Sequence, residues 1–162
     1  MPAHLIDFYS GWEKHNSLLV RALSPLGEEE LSWSAAPNLW PIRTLANHIV
    51  AARAWWFGSW MGEGGDTLAQ LIDYDEVEGS SARDAPTICE ALDASWVTLA
   101  ECLSRWTEAD LQQAFLRPRA SPHLRPSRNR DWIIWHVAEH DLHHGGEISL
   151  TLGMHGGTGL DL

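Results

Sequence analysis

The sequence predicts an all-α protein: a four-helix bundle with long connections, in up-up-down-down order. Three observations lead there. Four segments repeat apolar residues at three- and four-residue steps, the period of a helix that buries one face. No segment shows the two-residue alternation of a half-buried strand, and no internal repeat is visible. The segments are joined by stretches of about residues 24–40, 61–84 and 107–129, longer than a tight turn between helices needs. A length of 162 residues fits one domain, 1–162.

In the first segment Leu5, Phe8, Tyr9, Trp12, Leu19 and Leu23 fall on one stripe, and Pro25 and Gly27 stop it. The second opens at Pro41, whose missing N–H would be unpaired in a first turn anyway. Leu45, His48, Ala52, Trp55, Trp56 and Ser59 then share a face, and Gly62, Gly64 and Gly65 end it. The third opens near Asp84 and Pro86 and carries the seam Ile88, Leu92, Trp96, Leu99, Leu103 and Trp106. The fourth begins at capping-type residues, Asn129 to Asp131, and runs through Ile133, Val137, Ile148 and Leu152. The middle connection is rich in Gly and acids, and its length allows the second and third helices to run parallel. Most of the ten Trp read as core, because large rings on apolar seams bury much area; Trp33, Trp40 and Trp60, near helix ends, could line a pocket mouth.

Composition narrows the function. Eleven Lys and Arg face 22 Asp and Glu, a net charge of −11. A surface that acidic repels phosphate, which argues against nucleic acid and anionic membranes as partners. The longest apolar stretch, Ile49 to Trp60, is interrupted by Arg53 and too short to span a bilayer. The N-terminus has no basic region before an apolar run, so no signal peptide is expected. Cys89 and Cys102 form no CxxC and read as reduced thiols of a cytoplasmic protein. There is no phosphate loop, GxSxG elbow or kinase signature.

Nine His beside a single Lys stand out, and four of them fall in residues 136–144, HVAEHDLHH. Each helical residue advances about 100°, so His140 and His144 lie about 40° apart on one face and can converge on one cation. His136 and His140 share that spacing. The apolar stripe chooses between the pairs, because Ile133, Val137 and Ile148 lie on the same side as His140 and His144, whereas His136 and His143 turn to the flank. A third inward imidazole comes from the second helix, where His48 shares the stripe of Leu45, Ala52, Trp55 and Trp56. A buried imidazole without a partner costs about 1–3 kcal/mol, and a metal is one remedy. Three neutral imidazoles leave positions open, a catalytic pattern that suits Zn²⁺ or Ni²⁺ without choosing between them. Glu147 lies on the same face as His140 and could orient a ligand, act as a base or hydrogen-bond within the bundle. His4, His15, His123 and His155 stand in terminal or polar contexts and are given no role.

The last connection holds Arg117, Arg119, Arg125, Arg128 and Arg130. This positive island either offsets the acidic surface or binds an anion.

The order of these features resembles the DinB-like superfamily of damage-inducible, metal-dependent proteins. The residues that carry it are SWSAAPNLWPIRTLANHI entering the second helix, the NHIVAARAWW helix, a long crossover, an apolar helix with Trp, and HVAEHDLHHGGEISLTLG. The resemblance covers nearly the whole chain. It places the metal triad on His48, His140 and His144, the three that the face argument selects. Relatives include bacillithiol transferases and mycothiol-dependent maleylpyruvate isomerases. The resemblance therefore implies a homodimer in a stress response and thiol-dependent transfer to a small-molecule substrate, with a low-molecular-weight thiol as cosubstrate. A metal-dependent hydrolase and a non-catalytic metal-binding protein are the rival readings. Carboxylates of such a thiol could sit on Arg125 and Arg128. The chain departs from the family pattern at Gly145, where an Arg commonly follows the last His, and at Arg53, where an acid often stands. An ion pair usual there could be absent or rearranged.

Overall fold

The computed structural model describes residues 4–76, 83–118 and 126–161. Arg119 and Arg125 lie outside these residues. Four long helices form the bundle. They are α2 (Ser10–Leu23), α4 (Ile42–Arg53), α6 (Ala85–Arg105) and α7 (Arg130–Met154), with short helices α1 (Leu5–Phe8), α3 (Glu28–Leu31) and α5 (Gly65–Ala69) beside them. The expected first helix is broken at Tyr9. A 3₁₀ turn, Glu108–Gln112, leads into a two-stranded antiparallel hairpin, β1 (Ala114–Leu116) and β2 (Ser127–Asn129). These strands of three residues are too short to show a period, so sequence read them as loop.

The all-α class holds, but the order of directions differs from the expected up-up-down-down. Trp12 meets Trp96 and Val20 meets Cys89, so α2 and α6 are antiparallel. Trp12 bonds Asp141 and His15 lies against Gly145, so α2 and α7 run parallel. Arg43 reaches Arg83 and Phe57 meets Trp106, so α4 and α6 run parallel, which the length of the crossover allows and the expected order does not. The order is therefore up-down-down-up. The first connection, despite its length, is spent on α3 and turns and brings α4 back antiparallel to α2.

The helix ends follow local chemistry. The Asp84 side chain accepts a hydrogen bond from the Thr87 N–H at 3.0 Å, with Pro86 in the first turn of α6. Gly64 has φ +75°, and a Cβ there would collide with Leu68 and Thr98, so only glycine makes this turn. Beyond Arg53, α4 continues as a π-helical stretch, Ala54–Trp60. Such wide turns are rare and cluster at functional sites. This one buries Phe57 and Trp60 while leaving Trp55 and Trp56 half-exposed.

Two apolar clusters fill the bundle. One centres on Leu19, Leu23, Ile49, Ile88 and Ile148, the other on Phe57, Trp96, Leu99, Ile133 and Val137. Between them lies a polar knot. Arg53, fully buried, donates to Asp141 at 2.8 Å, to Asn16 at 2.9 Å, to the Leu92 carbonyl at 3.0 Å and to Ser95 at 3.1 Å. Trp12 Nε1 also donates to Asp141, at 2.6 Å. The departure at Arg53 thus has a physical answer: a buried ion pair to Asp141 that ties all four helices. Gly145 has one too. A Cβ there would stand 2.4 Å from the ring of His15, whose Nε2 lies 3.0 Å from the Asp141 carbonyl oxygen. His15, given no role from sequence, is therefore a buried packing residue.

Candidate metal centre

α4 and α7 run antiparallel in contact, and their shared groove carries the histidines. The rings of His140 and His144 are 4.4 Å apart, and His48 comes within 4.8 Å of His140 and 5.1 Å of His144. Nitrogens of the three rings lie within 4.8 Å of one another. That is near the reach of one cation whose bonds to imidazole are about 2.0–2.1 Å, after small side-chain rotations. The structure thus brings together the three residues that the sequence singled out. All three are half-buried, His48 on α4 and His140 and His144 on the flank of α7, whose buried stripe holds Ile133, Val137, Asp141, Gly145 and Ile148.

Two of the rings are held by carboxylates. His48 Nδ1 lies 2.5 Å from Asp75 Oδ2, and His144 Nδ1 lies 2.6 Å from Glu147 Oε2. A carboxylate on Nδ1 fixes the tautomer and leaves the Nε2 lone pair free, the usual support of a metal-bound histidine. His140 has no such support, and its buried Nδ1 has no hydrogen-bond partner among the described residues. Burial, reinforced by the neighbouring imidazoles, pushes His140 down to about 3. Burial also lowers His144, with Glu147 pulling the other way. Neutral imidazole is the form that binds a cation, so burial and donor set both fit a divalent metal. His143, His144 and Glu147 form a second, more exposed group, which shares His144.

Trp40 covers one side, edge-on to His48 at 5.2 Å and stacked near His144 at 6.1 Å. On the other side a cleft of about 400 Å³ opens, lined by Ala52, Trp55, Trp56, Ile72, His136 and His140. The flank position expected for His136 proves to be the cleft wall, where its ring stacks on Trp132 at 4.8 Å. His143 is exposed. A larger cavity of about 560 Å³, between α2 and the C-terminal segment, lies away from the histidines.

The sequence missed Asp75 altogether. It sits 27 residues from His48 in an acid-rich connection, and nothing local marks it from its neighbours. Of the readings open for Glu147, the structure shows the hydrogen bond within the bundle, to His144. Among the arginines, Arg130 is structural, donating to the Asp110 carbonyl at 2.7 Å and lying over Trp106. Arg128 stands over Trp132 at the end of the groove. The cysteines are free and buried, and burial pushes Cys102 up to about 11, which removes it as a nucleophile. Among the described residues no helix is long and apolar enough to cross a membrane.

The comparisons with known proteins agree with this architecture. A DinB-like protein from Bacillus cereus ATCC 10987 superposes with a TM-score of 0.75 over 100% of this chain and 99% of its own, at 22% identity. A mycothiol-dependent maleylpyruvate isomerase superposes with a TM-score of 0.58 over 91% of this chain and 61% of its own, at 14% identity. No curated protein matches the sequence. The family description "DinB superfamily" matches residues 11–148, most of the chain and all three central histidines: the protein belongs to the DinB superfamily.

Proposed function

We propose that the chain is a divalent-metal-dependent enzyme in which His48, His140 and His144 hold the cation, and that its chemistry is transfer of a thiol to a small electrophilic substrate. The observation that carries the metal half is the convergence of three imidazoles, two of them pinned through Nδ1 by Asp75 and Glu147, at the edge of an open cleft. A bound Zn²⁺ or Ni²⁺ would lower the pKa of a thiol or water beside it. Asp75 and Glu147 orient the rings, Trp40 shields them from solvent on one side, and Trp55, Trp56 and Ile72 wall the space where substrate would lie. The thiol half is supported by family membership and by the fold neighbour named as mycothiol-dependent.

The test has two stages. Elemental analysis of native protein should find about one divalent ion per chain. The loaded protein should then conjugate monochlorobimane in the presence of low-molecular-weight thiols. Ester or amide hydrolysis without thiol turnover would replace the transferase reading with a hydrolase one. Full occupancy with neither activity would leave a binding protein only.

A further inference from the structure

Beside the histidine cleft, and sharing Trp55 and Trp56 with it, lies a second cleft of about 190 Å³. Its other walls are Trp60, Trp132, Arg117 and Arg128. The hairpin puts both arginines on one side. Arg128 pairs across the strands with Phe115, and Arg117 follows Phe115 by two residues, so strand alternation turns Arg117 and Arg128 to the same face. The Arg117 N–H bonds to the Pro126 carbonyl at 3.1 Å and holds that register just beyond the paired residues.

Four other arginines are neutralised by acidic neighbours. Arg43, Arg53, Arg105 and Arg130 each face a carboxylate: Glu28, Asp141, and Glu63 for the last two. Arg117 and Arg128 are exposed and face no carboxylate among the described residues. Arg128 instead lies 4.7 Å over the ring of Trp132 and donates to the Ser127 carbonyl. In a chain of net charge −11, two unpaired cations at one cleft are a local exception. Trp60, buried in the cleft wall, carries an indole N–H with no acceptor among the described residues. The tryptophans of the wall adjoin one another: Trp56 lies 4.7 Å from Trp60 and 5.6 Å from Trp132, and Trp132 stacks on His136 of the larger cleft.

We propose that this cleft is a subsite for a planar organic anion, an aromatic or conjugated carboxylate that stacks on the tryptophans and pairs with Arg117 and Arg128. Flat rings favour an unsaturated ligand, and arginine forks favour a carboxylate. The proposal rests on the proposed function for one point only, that the reacting end of the same substrate extends over the Trp55–Trp56 wall to the histidines. Binding of the anion itself needs no metal.

The experiment is calorimetric titration of metal-free, full-length protein with 2-naphthoate. One molecule should bind per chain. The neutral 2-naphthamide and the saturated succinate should each bind at least tenfold more weakly. Arg117→Gln and Arg128→Gln should each weaken 2-naphthoate at least tenfold and leave the melting temperature unchanged, because both side chains are exposed. His140→Ala should lose metal and keep 2-naphthoate, so failure of the metal site and failure of the subsite read out separately. Equal binding of 2-naphthoate and 2-naphthamide, indifference to both arginine substitutions, or loss of 2-naphthoate in His140→Ala would each overturn the proposal. Succinate binding as tightly as 2-naphthoate would overturn its aromatic half and point to the carboxylates of an aliphatic cosubstrate.

Discussion

At the scale of single residues, two carboxylates hold two rings of the histidine triad. Asp75 and Glu147 hold His48 and His144 by Nδ1. Asp75→Asn or Glu147→Gln should weaken divalent-ion affinity about 10–100-fold without abolishing it, since such partners tune rather than supply the ligands. Zinc titration against a competing chelator measures this. Gly145 acts through space alone. In Gly145→Ala the new methyl meets the His15 ring, which must move and give up its contact with the Asp141 carbonyl. The expected cost is about 1–3 kcal/mol in urea unfolding. Sequence could locate His48, His140 and His144 because each carries helical phase and apolar neighbours. It could not locate Asp75, whose partner is distant in the chain, nor the crowding that makes Gly145 a glycine. A face argument reads direction around one helix and says nothing of what the next helix brings.

At the scale of elements, α2, α4, α6 and α7 are pinned together by the Arg53–Asp141 knot. Breaking one half leaves an uncompensated charge in the core. Arg53→Met should therefore cost about 3–5 kcal/mol, and adding Asp141→Leu should recover part of that cost, since no charge is then left uncompensated, although the Trp12 indole N–H and the Asn16 side-chain oxygen lose their partners. Urea midpoints of the wild type and of the single and double variants decide it, and a double variant less stable than the single would contradict this expectation. The four long helices were legible because each carries ten or more residues of period 3.6. The π-helical stretch was not, because a local change of period over Ala54–Trp60 leaves the same residues apolar and aromatic. The direction of α4 was not legible either, since a connection's length sets what it can span and not where it returns.

At the scale of the whole molecule, burial of imidazoles makes the fold sensitive to acid. His15, His140 and His144 are all lowered from their ordinary value, chiefly by burial. In the unfolded chain they take up protons as the pH falls through about 6.5; in the folded chain they stay neutral to lower pH, for His140 to about 3. The unfolded state thus binds more protons inside that window. Stability is complete above about pH 6.5 and declines as pH drops toward 3, which thermal melts across that range will show. A bound cation should leave in the same window, because its ligands must be neutral.

The central claim is that three histidines from α4 and α7 hold one divalent ion. Equilibrium zinc titration of the wild-type protein, His140→Ala and His136→Ala tests it most directly. The wild type and His136→Ala should each bind one ion per chain, and His140→Ala should lose most of that binding. Equal loss in both variants, or undiminished binding in His140→Ala, would contradict it.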